Sequence, residues 1–581
     1  MKRIVLGFGC LCMGAVAFAD AAAIAPKDLA AKPSKIVCDN GVTVKEDGGR
    51  LTVTVAPNSG DWAGFAIVPA NGTWDLSAWG HFEVTAKNLC DAQVCVGLRV
   101  DNPGDWQKSP WNSENLFVGA GETKTGRVIF GYQYGYQKGY KLDPAKVNQV
   151  KVFFCGNSDK PRSVILSGVN AAGPSREKPP RAPDQMAYVP PKGDVASAPV
   201  AAQNGSVVFT PPTGYGWWNL SEGLKLSVTV KNRGKAPLKP VVTIESAGQT
   251  ISGAGASVKP GATGRVEVGF MPEKPWYSEG GAYAEAAPGH AWKFDSNRVR
   301  KITVAAEGAT FDVTAAKVEQ VVAKLPPWLG KRPPVDGKWK LTFRDEFDGR
   351  SIDTNKWNIY ADNYWDSVTH FTKDNIFIRD GKLVLRYEVK RGHHNDDPKG
   401  KETDFACGFA DTYGKWTQRY GYFETRVKLP RCPGLWPAFW MMPDRGADKG
   451  PQWVRAATEN GGMEFDIMEH LTAWGPYRFN VAWHWDGYGK DHKSIGSPWI
   501  YMPADKDGFL TVGLLWLPGE SAIYGNGVEL ARWKNPRVGD QLSNFLIDIV
   551  QGGWANDPLD EDLLPDELVL DYVRCWQKEG L

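Results

Sequence analysis

Three carboxylates fall inside one short apolar run, Glu464-Phe465-Asp466-Ile467-Met468-Glu469, and that run constrains the fold more than any other stretch of the chain. Like charges on a buried sheet face repel one another and lose hydration, so such a run is kept where chemistry needs it. Side chains on a strand alternate, which puts Glu464 and Asp466 on one face and sends Glu469 to the other. One β-bulge at Ile467 or Met468 resets the alternation and returns Glu469 to the face of the other two. The two glutamates still lie roughly 13 Å apart along an extended strand at about 3.3 Å per residue, so their carboxyls meet only across a concave face. Two carboxyls about 5–5.5 Å apart suit hydrolysis of a glycosidic bond with retention of configuration. Asp466, between them, can hydrogen-bond the attacking carboxylate and help keep Glu469 protonated. A solvated edge strand is the bland reading, but Phe465, Ile467 and Met468 make the opposite face apolar. Calcium chelation by the trio lacks a glycine-turned loop to supply further oxygens.

The rest of the chain reads as all-β. At 581 residues it is too long for one core. Alternating segments such as Arg50–Val55 and Val94–Val100, spaced by turn residues, predict a sandwich over residues 28–172, similar in outline to galactose-binding-type modules. Its loops carry Trp62, Trp74, Trp79, Trp106 and Trp111, which suit either a sugar platform or a core. Residues 173–200 hold many prolines and predict a semi-rigid linker. Residues 201–322, with strands through Leu226 and Val266, predict an immunoglobulin-like sandwich acting as a spacer. In residues 335–581, Lys382–Tyr387, Leu510–Trp516 and the Asn526-Gly527 hairpin turn predict two stacked antiparallel sheets, a β-jelly roll.

The last segment resembles glycoside hydrolase family 16, the clan of laminarinases, agarases, porphyranases and carrageenases. Glu464-x-Asp466-x-x-Glu469 matches its bulge-type signature. The segments Tyr420–Pro430, Gly434–Met441, Phe343–Gly349, Gln551–Trp554 and Leu570–Arg574 match the strands and tryptophan loop around it. The resemblance implies Glu464 as nucleophile, Asp466 as assisting acid and Glu469 as acid/base. It implies that Trp436, Trp440, His484 and Trp554 line sugar subsites. It further implies a structural calcium at Glu346 and Asp571, with no cofactor required for the chemistry. The sugar polymer stays open between a β-1,3-glucan and a β-linked algal galactan, for which Lys490, His492, Lys493, Lys390, Arg391, His393 and His394 could meet sulfate groups. A noncatalytic glucan-binding protein on the same fold is the alternative of another class.

The N-terminus reads as an export signal, residues 1–19, ending Ala17-Phe18-Ala19. A secreted protein, extracellular or periplasmic, is expected. The formal net charge of +2 includes Lys2 and Arg3 of that leader and suggests no polyanion-binding field. The resemblance implies a polysaccharide partner, and no nucleic acid, no membrane insertion and a monomeric chain are expected. Export permits disulfides among Cys38, Cys90, Cys95 and Cys155, and between Cys407 and Cys432; connectivity is not readable from spacing.

Overall fold

A computed structural model of the chain describes residues 34–581 apart from 71, 106, 108, 109, 180–185, 283–291 and 362–367. The leader and Trp106 lie outside the described residues. Strands dominate throughout. The one α-helix among the described residues is the four-residue turn Gln452–Arg455, and none is long and apolar enough to cross a membrane.

The chain forms two compact units that divide between Arg181 and Ala182. The first is a sandwich of two five-stranded sheets, one centred on Gln149–Phe154 and the other on Arg162–Ala172. The alternation read from the sequence is the cause: Leu51, Val53 and Val55 point inward while Thr52 and Thr54 face out, so each strand buries one face. Cys90, Cys95 and Cys155 are free thiols, while Cys407 and Cys432 of the second unit, between which a bridge was possible, are buried. Cys432 Sγ instead donates to the Asp560 carbonyl at 3.2 Å.

The second unit holds two sandwiches. The smaller packs a six-stranded against a five-stranded sheet around Trp218, Phe270, Phe294 and Phe311. The proline-rich stretch is a linker only in part. Ala187–Tyr188, Asp194–Ala196 and Val200–Ala201 all pair with strands of this sandwich. They are short and peripheral, the positions where neighbouring prolines leave no ladder bond unmade.

The larger sandwich stacks an eleven-stranded sheet on a six-stranded one. The six-stranded sheet runs Phe409–Asp411, Ser543–Gln551, Leu435–Pro443, Glu464–Glu469, Arg478–Trp485 and Lys493–Tyr501, antiparallel throughout. Its inner face buries Phe439, Phe465 and Phe545 against Phe423 and Trp516 of the opposing sheet, with Phe465 and Trp516 ring centroids 4.7 Å apart. The other face carries the acids.

The spacer role expected for the smaller sandwich does not hold. Its segment Trp276–Ser278 adds a parallel strand to the edge of the eleven-stranded sheet, alongside Ala531–Trp533. Trp276 is 7% exposed and belongs to the core of the larger sandwich. Two large apolar surfaces that would otherwise meet water are covered in this way.

Candidate active site

The Glu464–Glu469 strand lies between Leu435–Pro443 and Arg478–Trp485. Glu464 faces His484 and Asp466 faces Ala482, a step of two on both strands; then Glu469 faces Asn480, a step of three against two. The extra residue is also seen from the other side, where Phe439 faces Met468 and Trp440 faces Asp466, leaving Ile467 unpaired. This bulge keeps all three acids on the outer face while Phe465, Ile467 and Met468 stay in the core.

Each acid is held by polar neighbours. Glu469 accepts from Trp436 Nε1 at 3.1 Å and from Asn480 Nδ2 at 2.6 Å. His484 Nε2 lies 3.3 Å from Asp466 Oδ2, and its Nδ1 is 2.9 Å from His492 Nε2. Tyr488 donates its hydroxyl to Glu464. Glu464 and Asp466 share a hydrogen bond as well.

Asp466 and Glu469 are buried, 3% and 8% exposed, so their ionised forms lose hydration. Burial is the largest cause raising all three carboxyls above their ordinary range; the neighbouring acids add to it at Glu464 and Asp466, while His484 pulls Glu464 and Glu469 back down. The trio therefore retains a proton where isolated carboxyls would have released theirs. A buried carboxyl that keeps a proton is a general acid.

Trp436 is half-buried and meets the exposed Trp554 edge-on, ring centroids 5.9 Å apart. Trp554 rests in turn on the buried Trp474 at 5.7 Å. Gly553, at φ +100°, supplies the turn that brings Trp554 over Trp436. Trp440 departs from the expected subsite role. It is buried, and its Nε1 donates to Asp548 at 2.7 Å, so its indole is committed to the sheet.

Glu346 and Asp571 do not form a metal site. Both oxygens of Glu346 accept from Arg574, at 2.9 and 2.6 Å. Asp571 accepts from Arg426 at 2.6 Å and lies 3.2 Å from Lys382. A cation already neutralises each carboxylate, so these residues do not fit calcium. Among the described residues no other cluster of His, Cys, Asp or Glu could hold a metal ion.

Asn480, Tyr488 and Asp548 were not singled out in the sequence. Asn480 and Asp548 sit opposite Glu469 and Ala438 in the register, which only the pairing reveals. Tyr488 carried a faint signal, an aromatic flanked by Gly487 and Gly489 soon after His484.

Neighbouring buried carboxyls on one sheet face, edged by indoles, suit splitting the acetal between two sugars, and the second unit is that of an O-glycosyl hydrolase. No family model matches the chain. The β-glucanase of Rhodothermus marinus is 27% identical over 261 residues, 41% of this chain and 85% of that protein. Glucan endo-1,3-β-glucosidase A1 of Niallia circulans is 31% identical over 276 residues, 42% of this chain and 39% of that protein. Keratan-sulfate endo-1,4-β-galactosidase of Sphingobacterium multivorum is 26% identical over 262 residues, 41% of this chain and 55% of that protein. The chain thus spans most of the first relative but less than two thirds of the other two. The second unit is similar to glycoside hydrolase family 16.

Proposed function

We propose that the protein is an exported endo-hydrolase of β-1,3-glucan that works by retaining double displacement. The observation that carries this reading is the bulged strand with Glu464 and Glu469 on one face, Glu469 gripped by Trp436 and Asn480. Glu464 attacks the anomeric carbon while the Glu469 proton passes to the departing glycosidic oxygen. Glu469, now a base, takes a proton from water as that water displaces Glu464 and restores the starting state. Asp466, within hydrogen-bond reach of Glu464, orients the nucleophile, and the closeness of Glu469 to Asp466 disfavours ionising both at once. Trp436 and Trp554 offer apolar faces to sugar rings on either side of their edge contact.

A neutral glucan is favoured over a sulfated galactan because Lys390, Arg391 and Lys493 of these loops are already paired. Lys390 donates to Asp374 at 2.8 Å, Arg391 to Glu402 and Asp404, and Lys493 to Asp486 at 2.8 Å. His492 stacks on His484 rather than reaching outward, ring centroids 5.1 Å apart.

Incubation with laminarin, agarose, porphyran and carrageenan, followed by reducing-end assay, tests the reading. Laminarin is the polymer expected to be cut; turnover of a galactan alone would move the assignment, and tight binding without turnover would make the protein a lectin. Glu464→Gln and Glu469→Gln should each lower kcat by roughly a thousandfold or more. Wild-type rates in either variant would refute the roles of nucleophile and acid/base.

A further inference from the structure

The Arg478–Trp485 strand supplies Asn480 to Glu469 and His484 to Asp466, so the placement of both acids depends on it. The smaller sandwich grips this strand near both ends. At the first end Arg478, 4% exposed, lies between the indoles of Trp474 and Trp499, at 4.2 and 3.6 Å from their centroids. Its Nη1 is 3.3 Å from Oδ1 of Asp295, a buried residue of the smaller sandwich. The neighbouring strand is tied to the same loop, since Tyr501 donates to the Phe294 carbonyl at 2.7 Å. Asn297 Nδ2 donates to the Ala473 carbonyl at 3.0 Å, next to Trp474. Gly475, at φ +85°, lies so close to Ser221 that a Cβ there would sit 2.1 Å from its hydroxyl oxygen.

At the second end the Trp276 indole stacks on Trp483, centroids 5.9 Å apart and planes 23° apart. Trp483 is fully buried and adjoins His484 in the chain. Behind it, Trp533 donates to the Gly280 carbonyl at 2.9 Å.

We infer that the smaller sandwich is a clamp on the Arg478–Trp485 strand, with Asp295 and Trp276 as positioning residues that set Asn480 and His484 against Glu469 and Asp466. The inference rests on the proposed glycosidase chemistry for its kinetic consequences but not for its structural ones. A buried guanidinium whose carboxylate partner is removed keeps its desolvation penalty, so the strand end relaxes toward water. An indole removed from behind Trp483 leaves a cavity into which the strand shifts. Small misplacements of acid–base groups reduce rate far more than binding.

Asp295→Asn, Trp276→Ala and Trp276→Phe in the full chain test the clamp. With laminarin, Asp295→Asn and Trp276→Ala should lower kcat roughly ten- to a hundredfold with KM nearly unchanged, and should displace the limbs of the pH–rate profile. Trp276→Phe, which keeps an aromatic plane on Trp483, should recover most of the rate and the profile. Hydrogen exchange provides a readout that needs no substrate. Amides of 478–485 should exchange faster in Asp295→Asn and Trp276→Ala while those of 435–443 do not. Unchanged exchange at 478–485 in folded Asp295→Asn overturns the clamp. So does a rate loss that only follows the folded fraction, with the pH profile unmoved. A wild-type protein inactive on every polysaccharide, with exchange at 478–485 still raised in the variants, would reject the glycosidase reading and leave the clamp standing.

Discussion

Glu424 holds a proton for reasons unrelated to the chemistry. It is fully buried in the eleven-stranded sheet, where Tyr572 donates to one oxygen at 2.8 Å and Tyr422 to the other at 3.1 Å. Burial outweighs these donors and pushes its pKa up to about 7. Between the unfolded value of 4.5 and about 7, the unfolded chain releases a proton that the folded chain keeps, so stability falls as pH rises across that window. The loss amounts to roughly 3 kcal/mol. Glu424→Gln cannot ionise, so urea melts at pH 4.5 and 8 should show the variant gaining on wild type at the higher pH; a parallel trend in both proteins would contradict this. His470 acts in the opposite direction. Burial lowers it to about 4, so it costs stability as pH falls from 6.5 toward that value, because only the unfolded chain takes up the proton. Chelation makes a further test at single residues. With Arg574 on Glu346 and Arg426 on Asp571, EDTA should leave the melting temperature and turnover where they were, and a drop restored by calcium would restore the metal site.

The bulge is the smallest element on which activity depends. Deleting Ile467 would remove the bulge while leaving Glu469 on the acid face and opposite Asn480, so it tests the local twist and carboxyl spacing that the extra residue supplies. Reducing-end release should then fall to background, and a deletion variant that still hydrolyses laminarin would show that the bulge is dispensable. Local pattern made this element readable in advance, since three acids within an apolar strand have few arrangements open to them. The alternation of Leu51, Val53 and Val55 and the Asn526-Gly527 turn were readable for the same reason: the period of two and a φ above zero are properties of a few adjacent residues. Asn480, Tyr488 and Asp548 were not, because their relation to the acids arises from register between strands far apart in the chain. Trp440 illustrates the same limit. Four residues from Trp436 and on the same face, it differs only in having Asp548 within reach of its indole nitrogen.

At the scale of the whole molecule, long-range packing overrode what composition suggested. Prolines near 190 and 326 mark joints, yet the strands at 187–188, 194–196 and 200–201 belong to the smaller sandwich. Nothing in the stretch around Trp276 announces that its indole completes the core of another sandwich. The first unit offers Trp62, 59% exposed and edge-on to Phe153 at 5.7 Å, as a surface for a sugar chain. In the full chain with Glu464→Gln, the change Trp62→Ala should weaken retention on insoluble β-glucan severalfold, and retention equal to the parent would assign that indole no part in adhesion.

The parallel strand lent at Trp276–Ser278 means that the apparent seam between accessory and enzymatic portions is not where the polypeptide divides mechanically. A shortened gene opening at residue 335 would encode a sheet with a bare flank, an orphaned guanidinium and a hollow behind Trp483. Shuffling this enzyme among relatives should therefore treat everything from about residue 187 onward as one heritable block, since recombination at the second proline joint separates halves that share a sheet edge and a buried ion pair.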